Sequence, residues 1–441
     1  MKRRDVLAGI ATCVLARKAH ALKAASEITL FSGGNGPSLN LNFLSGVLDP
    51  RITFSRSDPV SGVATCFNAA GSLTAAASNV PRFDHDPTLL TAKGLLVEET
   101  RVNSVRNNTM VGAVPGSPGT LPTYWGGVNL AAGLSYSVIG TGTESGIPYI
   151  DLQFTGTSTA SGNSVTFMPD TATVTASVGQ TWTDSIYWRV VGGSVPTNTS
   201  IGIYFTVTGG TSSGGTIAAP TTAALATQRV SFSYTMPTGT TGFTPNVYIS
   251  SNSGTVVNVT IRVGVPQLEL GAFVTSPILT SGSIATRAAD VATMPVGPWF
   301  NPRAGTIVVG VIQGGISPTI QPRIVNFNDG TINNVIEIYL NGALAAVTGQ
   351  LAVSGVSNQI IGSLSIAAGS IFKAGYSFSS VNQSLVGNGA LLGVSGGGLP
   401  TVTQMNIGNR ADVNRPENGT LQFLKYYPRA LSPAELQANT R

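Results

Sequence analysis

The chain has 441 residues, of which only 10% are charged, and it contains 53 glycines and 25 prolines. This length exceeds one ordinary core, and this composition favours short strands and tight turns over helices. The formal net charge is +5, but residues 1–21 carry +4 of it, so the body is nearly neutral and nucleic acid is not expected as a partner. We expect an all-β protein with two β-sandwich (jelly-roll) domains behind a small β-rich module.

Residues 1–21 have the layout of an export signal. A basic head at 2–4 precedes an apolar run over 6–16, and Ala-His-Ala at 19–21 forms a small-x-small cleavage site. The Arg-Arg pair of the head resembles a twin-arginine signal, although Lys2 stands where that signal has Ser or Thr. A basic tail, disordered or helical, is the alternative. The apolar run is too short to span a bilayer, so we expect no membrane span.

Cysteine and histidine are too few for the commonest site chemistries. Cys13 and His20 fall in the leader, which leaves Cys66 and His85 alone in the body. A processed chain has no intramolecular disulfide, and any histidine-dependent triad would have to use His85. The chain also lacks GxxxxGK[ST], HExxH, GxSxG and paired CxxC motifs. Nucleotide, zinc and serine-hydrolase chemistry therefore find no support.

The segment behind the leader divides into an arm and a module. Residues 22–46 are rich in Ser, Gly and Asn, which predicts a flexible arm. Residues 47–122 predict a small β-meander with Asp-Pro breakers. The order of short motifs is DPRITFSR, PRFD and GLLVEE, with Arg101 and Asn103 close behind. This combination resembles the amino-terminal module of many phage and prophage tail-fibre and head-fibre proteins, which implies other virion proteins as partners.

Residues 123–293 carry alternating strands separated by Gly-Thr-Ser turns. The strand candidates are YIDLQF, SIYWRVV, IGIYFTV, RVSFSYTM, NVYISS and VVNVTIRV. Strands at this spacing predict a sandwich or a jelly roll. The exit, PQLELGAFVTSP followed by TRAAD, is similar to the end of the carbohydrate-binding-type jelly roll found in the same phage proteins.

Residues 299–441 predict a second sandwich, behind a boundary at 294–299 where Pro and Gly interrupt the chain. Its strand candidates, TIVVGVIQ, RIVNFND, VIEIYLNG, FKAGYSFS and MNIGN, alternate as a half-buried sheet requires. The closing stretch combines an Asn-Gly turn, a strand, and a helix with Ser432 as N-cap and Pro433 at its first position. It resembles the last strand of a laminin-G-like, concanavalin A-like β-sandwich, a class that usually binds ligands without catalysis.

Alternation in the middle domain predicts which side chains point away from its core. The outward set with polar or aromatic chemistry is Asp151, Gln153, Tyr187, Arg189, Tyr204 and Tyr248. Rings of this kind can stack on sugars while polar groups bond to hydroxyls, so the set is a candidate glycan-binding platform. Exposed strand tyrosines that share no platform are the alternative. Trp125, in a turn-rich segment, either lines a loop-end site or caps the core.

Catalysis and metal binding have weaker signals. Glycosidases need two carboxylates set across the bond, about 5 Å or about 6.5–9.5 Å apart, and the sequence offers no obvious pair. We therefore expect no enzyme. Asp329 and Asp412 could contribute oxygen ligands to calcium, but neither lies in a dense acidic loop. We expect no cofactor, with calcium as the open alternative.

These patterns lead to one main hypothesis and two alternatives. The main hypothesis is a non-enzymatic phage or prophage fibre protein, a homo-oligomer on the virion surface that binds bacterial surface polysaccharide or another glycan through many weak contacts. The leader conflicts with this hypothesis because virion parts need no export. A twin-arginine-exported extracellular adhesin or matrix protein therefore stays open, as does a polysaccharide-degrading enzyme.

Overall fold

The computed structural model describes residues 36–197, 199–315, 320–341, 346–364 and 366–441, and it leaves the side chains of residues 163 and 164 undescribed. The export-type leader therefore lies outside the described residues. Regular structure in these ranges is almost entirely β, which confirms the all-β class. No helix in these ranges is long and apolar enough to cross a membrane.

The first strands along the chain are short. They are β1 Leu39–Asn42, β2 Thr53–Ser55, β3 Ala64–Phe67, β4 Leu73–Ala76, β5 Arg82–His85, β6 Ala92–Val97 and β7 Arg101–Asn103. A 3-10 turn, Phe43–Ser45, follows β1. β3 and β4 form a two-stranded hairpin, and the other strands join sheets that are completed by distant parts of the chain.

The middle of the chain forms a sandwich of two sheets. Its strands are β8 Gly126–Leu130, β9 Leu134–Glu144, β10 Ile147–Thr157, β11 Gly162–Met168, β12 Val174–Thr175, β13 Thr181–Ser194, β14 Ser200–Thr208, β15 Ser213–Thr216, β16 Arg229–Thr235, β17 Gly242–Ser251 and β18 Val256–Leu270, with a 3-10 turn at Leu225–Thr227. Sheet I has the order β16-β13-β18-β10-β9. Sheet II has the order β15-β14-β17-β11-β8, with β12 beside β17.

The remaining elements complete a second sandwich. They are β19 Ala285–Arg287, β20 Val291–Pro295, β21 Ala304–Gln313, β22 Arg323–Asn328, β23 Val335–Asn341, β24 Ala346–Val353, β25 Val356–Ser363, β26 Ile371–Ser379, β27 Gln383–Gly387, β28 Ala390–Ser395, β29 Gln404–Ile407, β30 Gly419–Tyr427 and helix α1 Pro433–Asn439. Sheet III has the order β28-β27-β26-β21-β30-β6-β5, with β1 beside β30. Sheet IV has the order β2-β20-β29-β22-β23-β24-β25.

Helix α1 begins where the sequence predicts. Ser432 is the N-cap, its hydroxyl accepts from the Glu435 N–H, and the Glu435 carboxylate accepts in return from the Ser432 N–H. This reciprocal pair satisfies two donors that a helix start otherwise leaves without partners. Leu436 is fully buried against Val308 and Val386, so the short helix is held by packing on sheet III.

The amino-terminal strands are part of the second sandwich, in contrast to the predicted separate module and to the predicted flexible arm over residues 36–46. Residues 22–35 of that arm lie outside the described residues. β1 and β6 pair with β30, and β2 pairs with β20. The apolar side chains of these short strands need a core to cover them, and they find it between sheets III and IV, where Leu39, Leu41, Phe43, Leu95 and Val97 are buried. The jelly roll is therefore an insertion between β6 and β20 of the second sandwich.

The chain enters and leaves the inserted jelly roll at one place. β7 leads in and β19 leads out, and the two pair antiparallel, with Arg101 opposite Arg287. The β3–β4 hairpin reaches from the second sandwich to the jelly roll, where its Phe67 and Leu73 are buried against Leu225. These contacts fix the jelly roll to the sandwich that carries it.

A buried group of charges, here called the junction cluster, lies where the two sandwiches meet. It consists of Arg56, Asp58, Arg82, Glu98, Arg287 and Asp290. Asp290 accepts from Arg56 at 3.2 Å and from Arg82 at 2.5 Å. Glu98 lies 2.8 Å from Arg82 and 3.0 Å from Arg287, and Asp58 lies 2.8 Å from Arg56. Three positive and three negative side chains thus balance one another.

The junction cluster is held in its charged form by its own geometry. Burial opposes ionisation of Glu98, but Arg287, Arg82 and two bonds from Ser276 outweigh burial and lower the pKa of Glu98 to about 2. All but one of the six residues come from the short motifs quoted above or from the TRAAD exit; Asp58 alone lies just outside them. Residues that are up to 234 positions apart in sequence therefore meet in one structural site.

Asp184 is a buried carboxyl whose pKa is raised, in contrast to that of Glu98. It projects from β13 into the jelly-roll core. It is fully buried between Trp182 and Ile186 on the core-facing side of the strand, and neither carboxyl oxygen has a hydrogen-bond partner among the described residues. Desolvation of the charged form raises the pKa of Asp184 to about 8. Asp184 is therefore protonated in the folded protein at neutral pH.

Breaking the junction cluster should destabilise the whole protein. Asp290→Ala removes the acceptor shared by Arg56 and Arg82, and uncompensated buried charges of this kind cost about 3–5 kcal/mol. The control Arg51→Ala removes a partly exposed pair with Asp49 and should cost no more than about 1 kcal/mol. Urea unfolding followed by circular dichroism measures both. Equal losses in the two variants would contradict the role assigned to the cluster.

The raised pKa of Asp184 predicts that the folded protein loses stability as pH rises. Its carboxyl binds a proton in the folded state up to about pH 8 but releases it near pH 4 in the unfolded chain. The free energy of unfolding should therefore fall between pH 5 and pH 8 by about 1.4 kcal/mol per unit from this residue. Glu98 adds no slope in this window because it is ionised in both states.

The matched variant is Asp184→Asn, which keeps the shape and neutrality of the protonated carboxyl. Asp84 and Glu417, whose pKa values burial also raises, contribute slopes of the same sign in both proteins. The difference between wild type and variant therefore isolates Asp184. Unfolding curves at several pH values would show it, and an identical pH slope in the two proteins would refute this protonation state.

Candidate functional site

The six outward-facing residues predicted as one platform are divided between two sheets. Asp151, Gln153, Tyr187 and Arg189 belong to β10 and β13 in sheet I, whereas Tyr204 and Tyr248 belong to β14 and β17 in sheet II. Alternation predicts the face of a strand but does not say which sheet that strand joins. Since the outer faces of a sandwich point in opposite directions, a single platform of all six residues does not form.

Tyr187 is not exposed. Only 3% of its surface reaches solvent, because Phe67 and Leu73 of the β3–β4 hairpin cover the outer face of sheet I at this point. The prediction that Tyr187 points away from the jelly-roll core is right, but a second small core lies on that side. Tyr187 is thus unavailable to a ligand.

Asp151 and Arg189 lie in an ion-pair network on the uncovered part of sheet I. Arg262 bonds Asp151 with two nitrogens, each at 2.9 Å, and reaches Glu144 at 2.7 Å. Arg189 also bonds Glu144, at 2.8 Å. Burial opposes ionisation of Glu144, but the Leu225 N–H and the two arginines outweigh it and lower its pKa. The network is compact and electrically balanced.

A cleft of about 410 Å³ opens beside this network, lined by Arg189, Arg262, Thr222 and residues 190–193. The Arg262 guanidinium stacks on the Tyr149 ring, 3.5 Å from its centroid. Gln153 lies half-buried on the same face. The guanidinium groups of Arg189 and Arg262 are already paired with the carboxylates of Glu144 and Asp151. This cleft therefore presents no net positive charge to a ligand.

The outer face of sheet II is different, and we call the area around Tyr204 and Tyr248 the tyrosine face. In the register of β14 and β17, Tyr204 lies opposite Asn246 and Tyr248 lies opposite Gly202. The two tyrosines are therefore diagonal neighbours on adjacent strands, about 7–8 Å apart between Cα atoms. Both are half-buried, and neither hydroxyl has a hydrogen-bond partner within the described residues.

The rings of Tyr204 and Tyr248 each pack against a glycine of the neighbouring strand. A Cβ atom at Gly202 would collide with the ring and hydroxyl of Tyr248, and one at Gly214 would collide with the ring of Tyr204. Each ring thus packs so closely against a glycine that no side chain fits at that position. Any larger residue at these glycines would displace the ring, so the glycines permit this close packing of the two tyrosines.

The tyrosine face has hydroxyl and amide groups but no charge. Asn246 donates to Thr206 at 3.0 Å, and Thr166 lies beside Tyr248 in the register of β11 and β17. None of the described strands of sheet II contains Asp, Glu, Lys or Arg. The surface can therefore stack on a flat apolar face and exchange hydrogen bonds, but it offers no ionic contact.

The other predicted site residues have structural partners. Trp125 is buried, stacks on Phe167, and donates its indole N–H to the Asn107 carbonyl at 2.8 Å, so it caps the core. Asp412 is bound by Arg410. Asp329 accepts bonds from Thr331 and Asn334 in its own turn. No group of three or more His, Cys, Asp or Glu among the described residues is arranged to hold a metal ion.

Sequence reasoning overlooked four residues of these surfaces. Glu144 and Arg262, which complete the network on sheet I, lie at a hairpin end and in a strand that pairs Arg262 with Asp151. Gly202 and Gly214 were readable signals, because a glycine inside a strand often marks a close approach by another group. Their partners could not be identified without the register.

Comparisons with known proteins return partial structural similarities. No family model matches the chain, and no curated protein matches it. One similar structure is the CBM40 of a Ruminococcus gnavus IT-sialidase bound to α2,3-sialyllactose, at 18% identity over 32% of this chain and 84% of that chain, with a TM-score of 0.29. Another is the botulinum neurotoxin serotype D binding domain, at 12% identity over 34% and 40%, with a TM-score of 0.27.

A third similar structure is the SAP-like pentraxin of Limulus polyphemus, at 14% identity over 31% of this chain and 68% of that chain, with a TM-score of 0.24. Each similarity covers about a third of this chain. At these identities and TM-scores the similarities assign no functional residue to this chain.

Proposed function

We propose that this protein is a non-enzymatic adhesion protein that binds a bacterial surface glycan on the tyrosine face. The observation that carries this proposal is the pair of half-buried rings, Tyr204 and Tyr248, which pack against glycines on an outer sheet face whose described strands have no charged residue. A sugar ring has an apolar face of C–H groups that stacks on an aromatic ring, and hydroxyls at its rim that bond to amides and hydroxyls.

The absence of charged side chains on the described strands of sheet II narrows the class of ligand that the tyrosine face can bind. Nucleic acids and densely sulfated or phosphorylated polymers draw most of their affinity from cationic side chains, and the described strands of sheet II have none. Asn246, Thr166 and Thr206 instead suit neutral hydroxyls and acetamido groups. A neutral polysaccharide segment fits this face better than an anionic one.

The setting we propose is a phage or prophage fibre on the virion surface. The motifs DPRITFSR, PRFD, GLLVEE and TRAAD, which resemble those of fibre proteins, support it. A weak site is effective in such a setting because several copies on one particle bind one polymer together. An exported extracellular adhesin would use the same face, so the two settings differ in location and not in the binding chemistry.

The amino terminus distinguishes these two settings. Peptide mass spectrometry on purified particles should find the protein with an intact start near Met1, since a virion component needs no export. A chain that starts at Leu22, in particle-free culture fluid and absent from particles, would instead identify an exported adhesin. Either result leaves the tyrosine face to be tested on its own.

The described carboxylates give little support to polysaccharide hydrolysis. Glu144 and Asp151 share Arg262, and the pKa of Glu144 is lowered, whereas a general acid needs a raised one. Asp184 has a raised pKa but is fully buried in an apolar core where no substrate reaches it. Release of reducing ends from capsule by the purified protein would refute the non-enzymatic assignment.

Ring removal should weaken glycan binding. Tyr204→Ala and Tyr248→Ala, tested on an array of bacterial surface polysaccharides, should each reduce affinity by about fivefold, because a stacked ring contributes about 1 kcal/mol. Tyr248→Phe should retain most of the affinity, since it keeps the ring and loses only the hydroxyl. Isothermal titration with the best array ligand would give the Kd values.

Two matched controls locate the site. Tyr124→Ala removes an exposed tyrosine that lies against Arg106, just before the edge strand β8 and not on β14 or β17, and should leave binding unchanged. Tyr149→Ala removes the ring beside the cleft of sheet I and should also have no effect. Unchanged binding by the Tyr204 and Tyr248 variants, or a loss caused by Tyr149→Ala alone, would show that the tyrosine face is not the site.

A further inference from the structure

We infer that the second sandwich has a site at Arg415 for a singly charged anionic group of a ligand, a carboxylate or a phosphodiester. The site lies in residues 409–415, here called the arginine loop, which connect β29 to β30. The tyrosine face belongs to the jelly roll and offers no ionic contact. The site at Arg415 is therefore separate from the proposed neutral-glycan site, and each can be tested without the other.

One buried side chain holds the arginine loop in place. Asn409 is fully buried, and its Oδ1 accepts from the N–H of Arg410 at 2.9 Å and from the N–H of Arg415 at 3.0 Å. Its Nδ2 donates to the Val413 carbonyl at 3.4 Å. The Arg415 carbonyl accepts from the Arg323 N–H at 2.9 Å, at the start of β22. The loop is thus closed on itself and bound to sheet IV, which holds its two arginines beside Arg323.

Two of these three arginines already have carboxylate partners. Arg323 bonds both oxygens of Glu337, each at 3.1 Å. Arg410 bonds both oxygens of Asp412. Arg415 is the one half-buried arginine in the described part of the chain whose guanidinium has neither a hydrogen bond nor an ion pair. Three positive and two negative side chains therefore leave one positive charge without a partner.

The surroundings of Arg415 make its charge costly to maintain. Burial, followed by the positive charges of Arg410 and Arg323, lowers the pKa of Arg415. An arginine stays protonated in a protein, so the folded state carries this repulsion. None of the Arg415 nitrogens is fully buried without a bond, so the guanidinium reaches solvent. A cation that the fold positions, exposes and does not neutralise is suited to an anion from outside, and binding sites commonly reduce stability in this way.

The charge and shape of the guanidinium define the ligand class. Its planar fork of N–H donors matches two oxygens on one acceptor group, as in a carboxylate or a phosphodiester. Each of these groups carries one negative charge, which balances the one positive charge left at Arg415. Polyuronates supply the carboxylate, and glycerol-phosphate polymers supply the phosphodiester. Both polymers repeat the group along one chain, so several weak contacts can act together.

Isothermal titration of the full chain with trigalacturonate, and separately with a trimer of glycerol phosphate, tests the site. At least one probe should bind, and the one that binds identifies the anionic group. Arg415→Gln should weaken that binding about tenfold or more, because the charged donors are lost. Arg415→Lys keeps the charge without the fork and should give an intermediate affinity. Added salt should weaken binding to the wild type.

The matched control is Arg303→Gln, which changes an exposed arginine just before β21. The arginine loop lies near the other end of that ten-residue strand, where Gln313 donates to the Glu417 carbonyl. The separation along the strand is about 30 Å, so Arg303→Gln should bind as the wild type does. The neutral methyl ester of trigalacturonate should not bind at this site, and Arg415→Gln should leave binding of the neutral array ligand unchanged.

Thermal unfolding without ligand separates a binding role from a structural one. Arg415→Gln should unfold at the same temperature as the wild type or at a higher one, because it removes a repulsion between like charges. A bound probe should raise the unfolding temperature of the wild type more than that of the variant. Failure of both probes to bind, equal affinity for the acid and its ester, or equal losses in Arg415→Gln and Arg303→Gln would overturn the inference. A lower unfolding temperature of unliganded Arg415→Gln would also overturn it.

Discussion

Three arginines and three carboxylates with almost no access to water hold this molecule together at one place. Charges in such a position are tolerated only when each finds partners, since an unpaired one costs several kcal/mol. Arg56, Arg82 and Asp290 meet this condition with contributions from both ends of the inserted jelly roll. The junction cluster therefore forms only when the strands before the insertion and those after it have docked, at the place where the chain enters and leaves the jelly roll.

This arrangement decides which surfaces remain available. The strands that bring Arg56 and Arg82 to the junction also bring the β3–β4 hairpin, and that hairpin covers Tyr187 on sheet I. The rest of that face is tied together by Arg262 and its two carboxylates. Sheet II lies on the opposite side of the jelly roll, so the hairpin does not cover its half-buried tyrosines. The proposed binding face is thus the one that the junction does not use.

The sequence predicted on which face of a strand a side chain lies, but it did not predict which strands lie side by side. Alternation correctly separates Ile203 and Phe205 from Tyr204, because strand geometry alone sets that pattern. It does not reveal that Tyr187 and Tyr204 belong to different sheets, since that depends on pairing between distant strands. The amino-terminal motifs were recognisable, but their charged residues gain a meaning only when Arg82 meets Asp290, 208 positions later. The two glycines under the rings were visible, yet only the register shows what they accommodate.

The central claim is that a neutral glycan lies on the tyrosine face, and hydrogen–deuterium exchange with and without the tightest-binding array oligosaccharide tests it most directly. We expect slower exchange in residues 200–208 and 242–251, which form the centre of sheet II, and no change in residues 147–157 and 256–270 of sheet I. Protection confined to sheet I, or to the second sandwich, would contradict the account.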